Sequence, residues 1–412
     1  MVNNFALLAL VGSTFASPIT SIKSRATTDT KYLFSFGDSY SQTDFDITGT
    51  KPSADNPIGN PAFPGDTTDN GVNWIGHLVE SHNSSLLLSY NFAFGGAVVD
   101  ASIVAPYEDT VLTLVNQTAE FVENLSPAPS YAEWTADNSL FALWFGVNDI
   151  GNSYWLSNET DIISAIFDSY FAQAQLLYNA GGRNFLFLTC PPVNKSPMML
   201  AYGDSVTSSE ATVIAAYNAE LSARVAKFNT TNTGVTTHVF DTQVPFNAAL
   251  NDPKAYGATD ATCYNADGTS CLWWNNLHPG QAIQKLIADG VAEQLSGKFF
   301  QASSSGSTVG IYSLTVPTTV IASSSSIAAV STNVPISSTI KSSIVPSSTV
   351  SPSTSSISKS AASSSVKTAA AVITPSIASN TFISSSVTSV VTSVASATVS
   401  SASSVGDDEC EA

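Results

Sequence analysis

With 412 residues the chain is long enough for more than one domain, yet its composition divides near Gln301: aromatic and aliphatic runs alternate with Gly, Pro and Asn turns before it, and Ser, Thr, Ala and Val dominate after it. Only the first part has the aromatic bulk to build a core. A formal net charge of −18 argues against nucleic acid and anionic membrane surfaces as partners, since both would be repelled, and leaves a neutral or weakly charged substrate.

The apolar run from Phe5 to Val11, followed by small residues through Ala16 and Ser17, has the form of a secretory signal peptide over 1–17, although no basic stretch follows Met1. Residues 18–30, with Lys23-Ser24-Arg25, read as a short leader or propeptide. Six Asn-x-Ser/Thr sequons, at Asn83, Asn116, Asn124, Asn158, Asn194 and Asn229, fit passage through an oxidising secretory route. The region expected to pack runs from 31 to 301.

The stretch 32–40 is a short apolar run that ends abruptly in Gly37-Asp38-Ser39. It reads as a buried first strand delivering a serine hydroxyl to the sheet edge, where ligands bind in open α/β sheets. Residues 42–70, rich in Pro, Gly, Asp and Thr, suit the rim of a cleft. A helix is predicted over 73–81 and a second strand over 86–94, closing on Gly95-Gly96. Over 110–125, Val111, Leu114, Val115, Phe121, Val122 and Leu125 recur at the spacing of an amphipathic helix. A third strand, 140–145, ends at Gly146-Val147-Asn148-Asp149. Helix 159–179 stops at Gly181-Gly182, strand 185–189 is broken by Pro191-Pro192, and helix 209–228 and strand 235–240 follow. The last helix, 280–295, is entered through His278-Pro279.

Strands apolar nearly throughout, alternating with helices, predict a three-layer α/β/α sandwich around a mainly parallel five-stranded sheet. Residues 302–412 have the composition of an O-glycosylated, disordered stalk, and their acidic end disfavours a glycolipid-anchor signal. No run outside the amino terminus has the length and apolarity of a membrane span. The four cysteines are too few for a disulfide-built fold and lack zinc spacing. Cys263 and Cys271 lie in a Gly/Asp/Asn loop and can close a local disulfide, whereas Cys190, after an apolar strand, reads as a buried thiol. No His/Cys/Asp cluster has ligand spacing, so no metal or organic cofactor is implied.

Four segments, Phe36-Gly37-Asp38-Ser39, Asn91-Phe92-Ala93-Phe94-Gly95-Gly96-Ala97, Gly146-Val147-Asn148-Asp149 and Leu277-His278-Pro279, carry a resemblance. In their order and spacing the chain resembles the SGNH, or GDSL, hydrolases, and within them the secreted fungal acetylesterases of carbohydrate esterase family 16. A lone Gly-Asp-Ser carries little weight: the second copy, Gly203-Asp204-Ser205, has no strand before it and leads into a helix. The resemblance implies the flavodoxin-like SGNH sandwich and a secreted serine esterase. Such an enzyme would release acetyl groups from acetylated plant-cell-wall carbohydrates through an acyl-enzyme on Ser39. It also implies His278 as base, and the Ser39 amide, the Gly96 amide and the Asn148 side-chain amide as oxyanion donors.

The chemistry asks for these residue types. A serine hydroxyl needs a base within hydrogen-bond reach, and histidine is the side chain poised near neutral pH. His77, His82 and His238 fall in or beside predicted elements and read as structural. The family usually carries Asp three residues before the histidine, and here that position is Asn275. Asn can orient an imidazole but cannot stabilise imidazolium with a full charge. Three outcomes follow: a Ser39/His278 dyad helped by Asn275 or a backbone carbonyl, a carboxylate recruited from Asp241 or Asp260, or a weakened enzyme. The first is favoured, because nucleophile, base and oxyanion donors all persist.

Trp273 and Trp274 beside His278, and Tyr154 and Trp155 after Asn148, are candidate walls for a sugar or short acyl group, and core packing accounts for any one of them equally well. Two rivals stand beside the acetylesterase: a GDSL lipase or phospholipase acting on longer acyl chains, and a catalytically weak cell-wall glycoprotein. The expected product is a monomer, secreted or held at the cell wall through its tail.

Overall fold

The computed structural model describes residues 29–126 and 128–302; the predicted signal peptide, nearly all of the leader, the tail after 302 and Cys410 lie outside them. Five strands, β1 (Lys31–Gly37), β2 (Leu87–Asn91), β3 (Ser139–Trp144), β4 (Asn184–Leu188) and β5 (Thr236–Phe240), form one parallel sheet in the order β2-β1-β3-β4-β5. Every residue of β2, β3 and β4 is buried, as is every residue of β1 after Lys31. Helices on both faces demand this, and it is why these segments read as continuous apolar runs rather than alternating ones.

Eight helices flank the sheet among the described residues: α1 (Trp74–Glu80), α2 (Leu114–Leu125), α3 (Val147–Gly151), α4 (Glu159–Asn179), α5 (Pro197–Leu200), α6 (Asp204–Thr231), α7 (Gln243–Asn251) and α8 (Gln281–Gln294). α1 and α7 pack on α8, while α2 and α6 pack on α4. The rings of alternate strand residues separate the two layers. Phe34 and Phe141 meet Phe121 of α2, and Phe187 meets Phe171 of α4 and Phe228 of α6. Trp144, pointing the other way, meets Trp74 of α1 edge to face at 5.8 Å. Each fully buried ring of this kind contributes about 1.5–3 kcal/mol of burial free energy.

Three differences from the sequence reading bear on the site. α2 starts at Leu114 rather than near 110, because the Asn116 Oδ1 accepts hydrogen bonds from the Thr113 N–H (3.0 Å) and the Thr113 hydroxyl (2.8 Å) and fixes the turn there. α6 starts at Asp204, so the second Gly-Asp-Ser is the helix entry itself, with Gly203 at φ +88°. The short helices α3, α5 and α7 were not predicted; five residues such as those of α3 are too few to display a helical period. Asn148 therefore sits in the first turn of a helix rather than in a loop.

Because β1 lies between β2 and β3, the chain winds outward to β2 and then returns to β3 on the other side of β1. The crevice at the carboxyl ends of β1 and β3 is the topological switch point. Ser39 follows β1 and Asn148 follows β3.

Candidate active site

At the end of β1 the chain turns tightly. Gly37 is the residue that permits it, since a Cβ there would stand 3.0 Å from the Trp144 carbonyl oxygen. The buried Gln117 side chain of α2 grips Gly37 on both sides, accepting from its N–H (3.0 Å) and donating to its carbonyl (2.8 Å). Asp38 then closes the turn: its Oδ1 accepts from the Tyr40 N–H at 2.9 Å, and its carbonyl accepts from the N–H groups of Ser41 and Gln42. The Ser39 carbonyl accepts from the Thr68 hydroxyl at 2.6 Å, and the Tyr40 carbonyl from Gln284 of α8 at 3.1 Å. Ser39, only 8 % exposed, is thus held from both chain directions.

The partner of Ser39 arrives from 239 residues away: His278 Nε2 lies 2.8 Å from the Ser39 Oγ. The loop carrying it is anchored by the Tyr40 hydroxyl, which donates to the Leu277 carbonyl at 2.6 Å, with the Tyr40 ring 5.6 Å from the imidazole. Asn275 Oδ1 accepts from the Leu277 N–H (2.8 Å) and the His278 N–H (2.7 Å), and faces His278 Nδ1 at 3.1 Å. This network assigns the ring proton to Nδ1 and leaves the Nε2 lone pair toward the serine hydroxyl. Burial lowers the His278 pKa to about 4, so the imidazole is neutral at pH 7.

The two carboxylates considered for recruitment are engaged elsewhere. Asp241 Oδ1 accepts from the Thr189 hydroxyl and the Gln243 N–H, and Asp260 Oδ1 from Thr262 and the Cys263 N–H. Asn275 is the side chain opposite Nδ1. Among the other histidines, His77 is part of α1, His82 Nε2 pairs with Asp289 at 2.9 Å, and His238 lies in β5.

Gly96 has φ +80°, a conformation glycine adopts without strain, and Phe94 donates to the Gly37 carbonyl at 3.1 Å, tying this loop to the end of β1. α3 is tied to the same loop twice. Asn148 Nδ2 donates to the Ala97 carbonyl at 3.0 Å, and Asp149 Oδ1 accepts from the Val99 N–H at 2.9 Å. One hydrogen of the Asn148 amide is used in that bond and the second remains.

The aromatic candidates separate. Trp273 is a correction: it is 0 % exposed, packs near Phe246 and donates its Nε1–H to the Ala261 carbonyl, so it belongs to the core rather than a substrate wall. Trp274, half-buried, lies 5.9 Å from the His278 ring and borders the site. Tyr154 and Trp155 lie beyond the carboxyl end of α3 and pack edge to face on one another at 4.9 Å, with Trp155 54 % exposed.

Sequence reasoning missed the side chains that flank the diglycine. The Tyr107 ring occupies the space a Cβ on Gly96 would need, and the Gln42 side chain does the same at Gly95. It also missed Tyr40 and Gln117; a polar residue on the buried face of a predicted helix was the available signal for Gln117.

Cys263 and Cys271 are joined by a disulfide with their Cα atoms 5.2 Å apart, and Cys190 is free and buried. Of the sequon asparagines, Asn116, Asn158 and Asn229 are exposed and Asn83, Asn124 and Asn194 half-buried. Among the described residues no group of three or more His, Cys, Asp or Glu side chains is arranged to hold a metal ion, and no helix is long and apolar enough to cross a membrane.

Residues 33–291 match the family described as GDSL-like Lipase/Acylhydrolase. An acetylesterase of Thermothelomyces thermophilus is 50 % identical over 296 residues, which cover 72 % of this chain and 97 % of that protein. An acetylesterase of Hypocrea jecorina is 23 % identical over 320 residues, covering 66 % of this chain and 90 % of that one. Among solved structures, an acetyl xylan esterase variant from Geobacillus stearothermophilus aligns with a TM-score of 0.39 at 13 % identity, covering 66 % of this chain and 96 % of that one.

Proposed function

The chain belongs to the GDSL-like lipase/acylhydrolase family and is a carboxylic ester hydrolase, and from that premise we propose that it is a secreted acetylesterase that removes acetyl groups from plant-cell-wall carbohydrates through an acyl-enzyme on Ser39. The observation that carries the mechanism is the 2.8 Å contact between Ser39 Oγ and the unprotonated Nε2 of His278. Ser39 Oγ attacks the ester carbonyl while its proton passes to His278 Nε2. The oxyanion is met by the N–H groups of Ser39 and Gly96 and by the spare hydrogen of the Asn148 amide; loss of one such donor typically costs about 2.7–4 kcal/mol of transition-state stabilisation. As the intermediate collapses, His278 gives its proton to the departing alcohol. A water then loses its proton to His278 and attacks the acyl-serine, releasing acetate and restoring the hydroxyl.

The acetyl preference is supported by the acetylesterase that shares half its residues with this chain, and the carbohydrate by the acidic, sequon-bearing sequence with its Ser/Thr-rich tail. Ser39→Ala should lower kcat on p-nitrophenyl acetate by at least about 10⁴-fold with the melting temperature held. An unchanged rate would remove Ser39 from the mechanism. On a panel of p-nitrophenyl esters, preference for chains of about eight carbons or more would replace the acetylesterase with a lipase.

A further inference from the structure

We propose that Tyr107 is a specificity-determining residue: its ring, seated on Gly96, is the platform on which the sugar of the ester's alcohol part stacks. The inference rests on the carbohydrate-esterase reading above and adds where the sugar binds.

Three observations carry it. Tyr107 is 67 % exposed, yet its ring is placed against the backbone of Gly96, filling the volume of the absent Cβ. One part of the ring is spent on the oxyanion loop and the rest is open to solvent. Second, the segment bearing it is fixed rather than free. Asp100 receives the hydroxyls of Ser102 (2.7 Å) and Ser169 (2.8 Å), Val104 and Val111, before and after Tyr107 in the chain, are buried, and Asn152 donates to the Ala105 carbonyl at 3.1 Å. Asn152 caps α3, the helix that carries Asn148, so the Tyr107 segment is bound to the elements supplying two of the proposed oxyanion donors. Third, the exposed carboxylates Glu108 and Asp109 follow the ring. They accept hydroxyl donors and repel an anionic alcohol such as a phospholipid headgroup.

The direction of the substrate follows from burial. The acyl group becomes bonded to Ser39, which is nearly enclosed, whereas the alcohol must leave to solvent. An aromatic face open to solvent beside Gly96 meets the departing alcohol, and covering it with the apolar face of a pyranose is worth roughly tenfold in affinity.

The experiment compares an acetylated xylobiose with ethyl acetate, which presents no ring, on wild type, Tyr107→Ala and Tyr107→Phe. For Tyr107→Ala the KM for the acetylated disaccharide should rise roughly tenfold, so that kcat/KM falls about tenfold further for the acetylated disaccharide than for ethyl acetate, whatever smaller change the two esters share. Tyr107→Phe should match wild type on both esters, since it keeps the ring. An equal fall on both esters would make Tyr107 a support of the oxyanion loop, and an unchanged KM for the sugar ester would remove it from the site; either result overturns this inference and leaves the esterase reading standing. A wild type that cleaves ethyl acetate but not the acetylated disaccharide sinks the carbohydrate reading, and this inference with it.

Discussion

Asn275 Oδ1 accepts three N–H groups, two from the backbone of its own loop and one from the imidazole. A carboxylate oxygen could accept the same three, so Asn275→Asp preserves the geometry and changes only the charge opposite Nδ1. Among the described residues no charged group offsets protonation of the ring, and burial lowers the His278 pKa to about 4. A base must be unprotonated to act, so kcat/KM should be flat through neutral pH and fall as the pH drops through about 4. A carboxylate at 275 stabilises the imidazolium and raises that pKa, moving the acid limb of the profile toward neutral pH while kcat at pH 7 is held or increased. The pH–rate profiles of wild type and Asn275→Asp decide this: a large fall in kcat, or an acid limb that does not move, would show that Asn275 does more than orient the ring. The structure gives Asn275 the geometry for the first of the three outcomes considered: it closes its own loop and faces Nδ1, the arrangement the proposed mechanism requires.

At the scale of elements, α2 reaches the site through one side chain. Gln117 is fully buried and bridges the N–H and carbonyl of Gly37 as a neighbouring strand would, and its amide also donates to the Leu112 carbonyl at 2.8 Å. Gln117→Leu keeps the bulk but removes the partner of the Gly37 N–H and of the Leu112 carbonyl, while the Gly37 carbonyl keeps the Phe94 N–H, at about 1–3 kcal/mol for each group left without a partner. A loss of about 2–4 kcal/mol in unfolding free energy is expected by chemical denaturation, with kcat falling more than KM rises because the Ser39 turn loosens; an unaltered midpoint and kcat would mean the bridge is idle. The positions of the strands and of the longer helices were legible in the sequence because burial on both faces writes continuous apolar runs, and amphipathic helices write a period. What escaped was set by tertiary contact. The period of α3 is too short to register, so Asn148 was placed in a loop. Trp273 and Trp274 are adjacent and chemically alike, yet one turns inward to Phe246 and the other outward to His278. Tyr107 had no signal at all, because its meaning lies in a glycine eleven positions earlier that the fold sets beneath its ring. Ser39, Gly96 and Asn148 stood out in the sequence because each follows an apolar strand in a fixed order, and His278 because it enters the last helix; the structure brings His278 to Ser39 and ties the Gly96 loop to the end of β1 and to Asn148.

Across the whole molecule the buried acids set the pH at which the fold is strongest. Asp38, Asp149 and Glu210 are each buried, and each has one carboxyl oxygen without a hydrogen-bond partner among the described residues. Burial raises all three to about 7, with the charge of Asp149 adding to the rise at Asp38. In the unfolded chain such groups titrate near 4, so between roughly pH 4 and pH 7 the native state binds more protons than the unfolded one. Their contribution to stability is therefore fully present below about pH 4 and is lost as the pH rises through about 7. A net charge of −18 at pH 7 acts in the same direction, since self-repulsion eases as carboxylates protonate. Opposing them, burial lowers His77 and His278 from about 6.5 to about 4. Over that interval the unfolded chain binds more protons at these two rings, and their penalty grows as the pH falls from about 6.5 to about 4, offsetting part of the gain from the three acids. Melting temperature should then be higher at pH 5 than at pH 8, by about 5 °C or more. Glu210→Gln keeps the shape, removes one of the three titrations and should flatten that slope. A melting temperature independent of pH, or higher at pH 8, would mean that these carboxyls find partners that keep them ionised. With the acids favouring the fold toward low pH and His278 unprotonated above about pH 4, activity and fold are both expected to hold from about pH 5 to neutrality. Measuring the melting temperature and kcat/KM over the same pH series separates loss of the base from loss of the fold.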